Sequence, residues 1–193
     1  VAQLASARYF NNMPDFREDI SPDVPDWSRE CVRQFWDPGR KLLRSIRRYQ
    51  FWRDKPGIIA RLLKLYYVLH HRFWSVVSGA EIQLNTSIGG GLLIPHPNGI
   101  VIHPGVLIGP NCLIFQQVTI GTTKGCGPPQ IGGYVDIGAG AKILGKLNVG
   151  DHALIGANAV VTDDVPAHST AIGIPAKIIG YGRQRRVSVF EIA

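Results

Sequence analysis

Aliphatic residues recur every six positions over much of this chain. Ile102, Ile108, Ile114 and Ile120 begin the count. After a ten-residue interruption, Gly121 to Gln130, it resumes at Ile131, Ile137, Ile143, Val149, Ile155 and Val161. After a second break it ends with Ile172 and Ile178. A small or apolar residue mostly follows four places on, as at Val106, Cys112, Val118, Val135, Ala141, Leu147, Ala153, Ala159 and Val165. A period of six matches neither a helix nor a lone strand. It matches a short strand and a corner, repeated. Three such units close one triangular coil, and coils stack into a parallel β-helix with the aliphatic residue pointing inward. Turn-spaced strands of a β-sandwich would not keep so strict a register.

The count already runs through Ile82, Ile88 and Ile94, so the β-helix begins near Ser78-Gly79-Ala80-Glu81. It then slips by two residues at Pro95-His96-Pro97-Asn98-Gly99, which marks one enlarged corner. Asn98-Gly99 is a strong turn pair. The segment Gly121–Gln130 reads as a loop thrown outward from another corner.

Upstream, Ser21 to Asp26 reads as a turn or extended arm. Asp26 is placed to cap a helix from about Trp27 to Trp36, ended by Asp37-Pro38-Gly39. A second helix is expected over Arg40–Trp52, with Leu42, Leu43, Ile46 and Tyr49 on one face. A third is expected from about Pro56 to Val77, with Ile59, Leu62, Leu63, Tyr66, Leu69 and Phe73 packing into a small helical cap. The chain is thus read as a helical region (1–77), a β-helix (78–180) and a tail (181–193).

The net charge of +7 is uneven, +6 in residues 1–80 and +1 in the remainder. The basic stretch Arg40–Lys64 reads as a solvated face or subunit contact. It carries no nucleic-acid motif, and a peripheral contact with an anionic membrane stays open. The apolar run Ile58–Val77 contains Arg61, Lys64 and Arg72, too many charges for a membrane span. Three cysteines, Cys31, Cys112 and Cys126, without a CxxC, suggest free thiols and a reducing, cytoplasmic setting. Cys112 falls at a repeat position and Cys126 in the loop. No His/Cys group has metal-ligand spacing. His152 and His168 are expected on outer faces.

The repeats, together with Pro95 to Ile102, Gln116-Gln117-Val118-Thr119-Ile120-Gly121, Ile137-Gly138-Ala139-Gly140-Ala141-Lys142-Ile143-Leu144-Gly145 and Gly173-Ile174-Pro175-Ala176-Lys177, resemble the hexapeptide-repeat acyltransferases. Within them they are most similar to the serine O-acetyltransferases and to relatives that acetylate sugars of surface polysaccharides. The resemblance covers residues 78 to about 180 well and the N-terminal part loosely. It implies a left-handed coil, a homotrimer or dimer of trimers, active sites between neighbouring subunits, and acetyl-CoA as co-substrate rather than a resident cofactor. It also implies His96 as general base and Glu81, fifteen positions earlier, as the carboxylate that orients it. The chemistry is consistent: acetyl transfer from a thioester to a hydroxyl needs a base near neutrality. A carboxylate on the far ring nitrogen would fix the tautomer. Gly121, Thr123, Ala139, Ala157 and Lys177 are the implied CoA contacts. His103, seven residues on from His96, is the other candidate base or acceptor contact, and Gln116 is a further candidate for the acceptor.

Two positions depart from the serine acetyltransferase pattern. Pro95 stands where an Asp usually precedes the base. Pro128 replaces a loop histidine, in a loop three residues shorter. These changes keep a sugar hydroxyl open as the alternative acceptor, with a non-catalytic β-helix scaffold as a further possibility.

Overall fold

The structure, a computed structural model, describes residues 21–181. The tail expected over 181–193, including Arg183–Arg186, lies outside them from residue 182 on, as does the polar stretch 1–20.

The hexapeptides fold as a left-handed parallel β-helix of about five coils. One wall, sheet A, stacks β1 (Glu81–Ile82), β3 (Val101–Ile102), β6 (Thr119–Gly121), β9 (Lys142–Leu144) and β12 (Val160–Val161). Sheet B stacks β2 (Ser87–Ile88), β4 (Leu107–Ile108), β7 (Gln130–Ile131) and β10 (Asn148–Val149). Sheet C contains β5 (Leu113–Ile114), β8 (Asp136–Ile137), β11 (Leu154–Ile155), β13 (Ser169–Ile172) and β14 (Lys177–Tyr181). In sheet A, Ile82, Ile102, Ile120, Ile143 and Val161 pair in register and are buried, so each inward side chain stacks on the one a coil below. The residues four places on turn inward too: Val106, Cys112, Val118, Val135, Ala141 and Ala159 are all fully buried.

Both irregularities of the count have a physical location. Ile82 and Ile102 pair although they are twenty apart, so the two extra residues sit in the first coil at Pro95–Gly99. Ile120 pairs with Ile143 across the outward loop. The end of the count differs from expectation. Ile155 pairs with Ala171 rather than Ile172. Ala171 is fully buried, whereas Ile172 and Ile178 are 41% and 37% exposed. The second break shortens the last coil, and a one-residue shift of register turns a side chain to the other face. The chain then reverses, because β14 runs antiparallel to β13.

Two helices precede the β-helix: α1 (Pro38–Arg53), capped by Asp37, and α2 (Ile58–Ser78). Leu42, Leu43 and Ile46 of α1 are buried in the same core as the first coil. Gly39 lets the helix approach closely, since a Cβ there would lie 2.5 Å from the Ile94 carbonyl oxygen. The helix expected over Trp27–Trp36 is only a 3-10 turn, Trp27–Glu30, with Asp26 accepting from the Ser28 amide. Tertiary bonds override local propensity here. Buried Arg29 donates to the Asn111 carbonyl, and buried Glu30 holds Arg47 at 2.8 Å and accepts from the Leu92 amide. The chain leaves this anchor extended at Cys31.

The third helix also differs from expectation in its packing. Its anchors are Ala60, Trp74 and Ser78, which are buried, while Ile59, Leu62, Tyr66, Leu69 and Phe73 are exposed. α2 packs on α1 along one side, and its last turns join the first coil. No third helix among the described residues covers the other.

Candidate active site

The enlarged corner is held from above by the end of α2. Gly79 closes that helix in the left-handed region (φ 67°), and its carbonyl accepts from the Gly99 amide at 2.8 Å. Gly99 is itself left-handed (φ 71°), and the Ile100 amide donates to Pro97. His71 Nε2 binds the Ile82 carbonyl at 2.8 Å, and the Ser75 hydroxyl donates to Ala80 at 2.6 Å. Helix and first coil therefore form one support. His96 projects from it, exposed, and makes no hydrogen bond with the described residues.

This corner heads a column along the edge between sheets C and A. The Gln117 amide donates to Asn98, Gly140 to Gln116, and Asn158 to Ala139, at 2.8–2.9 Å. His96, Gln116, Ala139 and Ala157 thus follow one another down a single edge. Gly138 is needed there: a Cβ would lie 2.6 Å from the Ala157 nitrogen. Glu81 lies exposed on the outer face of sheet A, in the same coil as His96. No hydrogen bond joins the two within the chain among the described residues.

A second group lies on the opposite edge, between sheets A and B. His103 accepts from the Gly105 amide through Nδ1 at 3.1 Å, which leaves Nε2 to carry the proton of the neutral ring and face outward. The loop folds back toward it, since a Cβ on Gly105 would meet Pro128 at 3.1 Å. Gly121 accepts from the Gly145 amide, and Thr123 closes a turn with the Cys126 amide. So Gly121, Thr123 and His103 share one edge, and His96 the other, separated by the width of sheet A, on the order of 15 Å. Lys177 lies farther along, on β14, beside a cavity lined by Asp163, Asp164 and Val165.

Sequence reasoning passed over Lys142. Its ammonium donates to the Gln117 carbonyl at 2.6 Å and to the Thr119 hydroxyl at 3.1 Å. That places a cation on the outer face of sheet A beside the His96 edge. The outward signal was available: Lys142 immediately precedes inward Ile143, and successive strand residues face opposite ways. Among the described residues no cluster of His, Cys, Asp and Glu is built to hold a metal.

Comparison with known proteins decides among β-helix proteins. The serine acetyltransferase of Helicobacter pylori is 43% identical over 139 residues, spanning 64% of this chain and 81% of that protein. The chain belongs to the serine acetyltransferase family. Members of this family are acyltransferase enzymes. The family member from Staphylococcus xylosus is 37% identical over 146 residues, 74% of this chain and 64% of that one. The serine acetyltransferase structure from Vibrio cholerae superposes with a TM-score of 0.65 at 35% identity, covering 77% of this chain. That from Neisseria gonorrhoeae, in complex with serine, gives 0.63 at 32%. The chain spans only 57% and 58% of those two structures. No family model matches the chain.

Proposed function

We propose that this protein transfers the acetyl group of acetyl-CoA to the hydroxyl of serine. The observation that carries this reading is the position of His96, exposed in the enlarged corner of the first coil of a serine acetyltransferase-family β-helix. His96 takes the hydroxyl proton as the serine oxygen attacks the thioester carbon. The tetrahedral intermediate collapses with loss of the CoA thiolate, which His96 reprotonates. Glu81 orients the imidazole. No covalent enzyme intermediate is needed.

CoA lies along the edges described above, with the small side chains of Ala139 and Ala157 flanking the pantetheine arm, Gly121 and Thr123 at the loop, and Lys177 toward a phosphate. His103 and Gln116 face the acceptor. His96 and Gly121 stand on opposite edges of sheet A, so they are not adjacent within one chain. A homotrimer, in which one subunit's loop edge meets the next subunit's His96 edge, supplies both. The same reading divides the chain into a helical region (1–77), the catalytic β-helix (78–180) and a tail (181–193).

A sugar hydroxyl is the less favoured acceptor. The relatives and structural neighbours are serine acetyltransferases, one solved with serine and another with cysteine. Pro95 and Pro128 mean that serine's ammonium and carboxylate meet different groups here. The test is thiol release from acetyl-CoA with serine, homoserine and nucleotide-linked sugars as acceptors. Turnover with serine, lost by roughly 10²–10⁴ in His96→Ala with the fold intact, is expected. Full activity in that variant would refute the mechanism, and turnover only with sugars would refute the acceptor.

A further inference from the structure

The outward side of α2 is apolar along its whole length. Ile59, Tyr66 and Phe73 are spaced by seven, as are Leu62, Leu69 and Val76, so the two rows run side by side on one face. They are not half-covered: Leu62 is 64% exposed, Leu69 61% and Val76 84%. From Ile59 to Val76 the stripe runs for about 26 Å of the 21-residue helix. An apolar surface of that extent marks an interaction site rather than ordinary surface.

The surroundings indicate what would cover it. Residues 38–78 contain ten Lys and Arg against Asp54 alone, a net charge of +9. Arg61 and Arg72 lie exposed on α2 itself. Cations from α1 reach the same aromatic cluster. The Lys41 ammonium stands 4.8 Å from the Phe35 ring centre and 4.7 Å from that of Trp74. Lys41 and Arg44 both lie near enough to His70 to help burial hold its imidazole below the usual histidine range. His70 accepts from Trp74 Nε1 at 3.0 Å and stacks on Tyr66. Phe35 and Trp36 extend the cluster, Trp36 edge-on to Trp74. Aromatics with polar edges, an aliphatic stripe and flanking cations are the composition of a helix that lies in a membrane interface. A second copy would set one +9 hairpin against another, which is repulsive. An anionic bilayer satisfies both the apolar stripe and the charge. No helix among the described residues is long and apolar enough to cross a membrane, so the contact is peripheral.

We propose that the exposed face of α2, with the cations of α1, docks on an anionic lipid surface, α2 lying parallel to the membrane plane. The docked helices hang the β-helix from the bilayer by its first coil. This surface is independent of the acetyl-transfer site.

The experiment uses the full chain and vesicles of phosphatidylcholine alone or mixed with phosphatidylglycerol. Co-flotation and tryptophan emission report binding, and light scattering reports the oligomer. The expected result is binding to the mixed vesicles only, weakened by salt. Leu62→Glu with Leu69→Glu should lower partitioning at least tenfold while oligomer mass and acetyl transfer stay unchanged. Arg61→Glu with Arg72→Glu should lower it by about fivefold or more per site, and stands as the test should the first pair lose helix content. Absence of binding to anionic vesicles overturns the proposal. So does equal binding by both variant pairs, or a drop in oligomer mass with Leu62→Glu and Leu69→Glu, which would assign the face to a second copy of this chain.

Discussion

Asn111 ties the N-terminal arm to the β-helix, and its replacement should loosen one without unfolding the other. It sits fully buried at the corner between sheets B and C, in the left-handed region at φ 61°. Its Oδ1 accepts from the Asp26 amide at 2.8 Å, and its Nδ2 donates to the Ser21 and Val24 carbonyls, each at 2.7 Å. Gly91 makes room for it, since a Cβ there would lie 2.1 Å from that oxygen. Asn111→Gly keeps the backbone conformation and deletes three bonds, each contributing about 1 kcal/mol, for a loss of about 3 kcal/mol. Asn111→Ala adds the strain of a left-handed alanine, about 1 kcal/mol more. Urea denaturation at fixed protein concentration gives both values, and limited proteolysis reads the arm. Cleavage near Ser21–Glu30 should accelerate in both variants. A loss below about 1 kcal/mol in Asn111→Gly, with the arm still protected, would show that these bonds do not hold it.

Stability should fall on mild acidification. The imidazoles of His70 and His71 are held below their usual range, chiefly by burial; Arg44 and Lys41 add to this at His70, and the bond to Ile82 opposes it at His71. The unfolded chain then binds protons that the folded chain resists. Stability from this source is complete above the unfolded value of 6.5 and declines as pH falls through the folded values. Thermal melts from about pH 7.5 to 5.5 should show it, and His70→Phe with His71→Gln should flatten the slope. Two glycines should separate fold from ligand binding. Gly138→Ala pushes into the Ala157 backbone at 2.6 Å, for a loss of about 1–3 kcal/mol and a raised KM for acetyl-CoA. Gly121→Ala meets nothing within 4 Å and should leave the melting temperature unchanged while raising the same KM. Burial pushes the Cys112 thiol up to about 12. Exposed Cys31 and Cys126 should react with a thiol reagent in the native protein, and Cys112 only after denaturant is added.

Much of the architecture was legible because a β-helix is quasi-one-dimensional. Each coil needs only its neighbours, so a local period is also the global plan. The slip at Pro95–Gly99 could be located from the count because two extra residues must go to a corner. The loop at Gly121–Gln130 was legible for the same reason. Legibility failed where distant segments compete with local pattern. Trp27–Glu30 looked like the start of a helix, but Arg29 and Glu30 are drawn to Asn111, Arg47 and Leu92. Ile172 kept the identity the count demanded and lost the register, because the second break shortens the last coil and puts Ala171 in the inward place.

The candidate site divides in the same way. That His96 occupies an enlarged corner, and that Ala139 and Ala157 are one coil apart, follow from the sequence alone, since eighteen residues return the chain to the same edge. His103 and Gly121, also eighteen apart, follow in the same way, but that this edge lies across sheet A from His96 was decided only by the tertiary structure. Which edge a residue occupies depends on where each coil closes, and the extra residues at two corners shift that. Lys142 shows the point at the scale of one side chain. Its outward direction was readable from period two, but its hold on Gln117 and Thr119 required the coils to be stacked. The apolar count of α2 was likewise plain in the sequence. Only the packing of α2 on α1 showed that half of it faces outward, because periodicity tells which residues share a face and not whether anything covers that face.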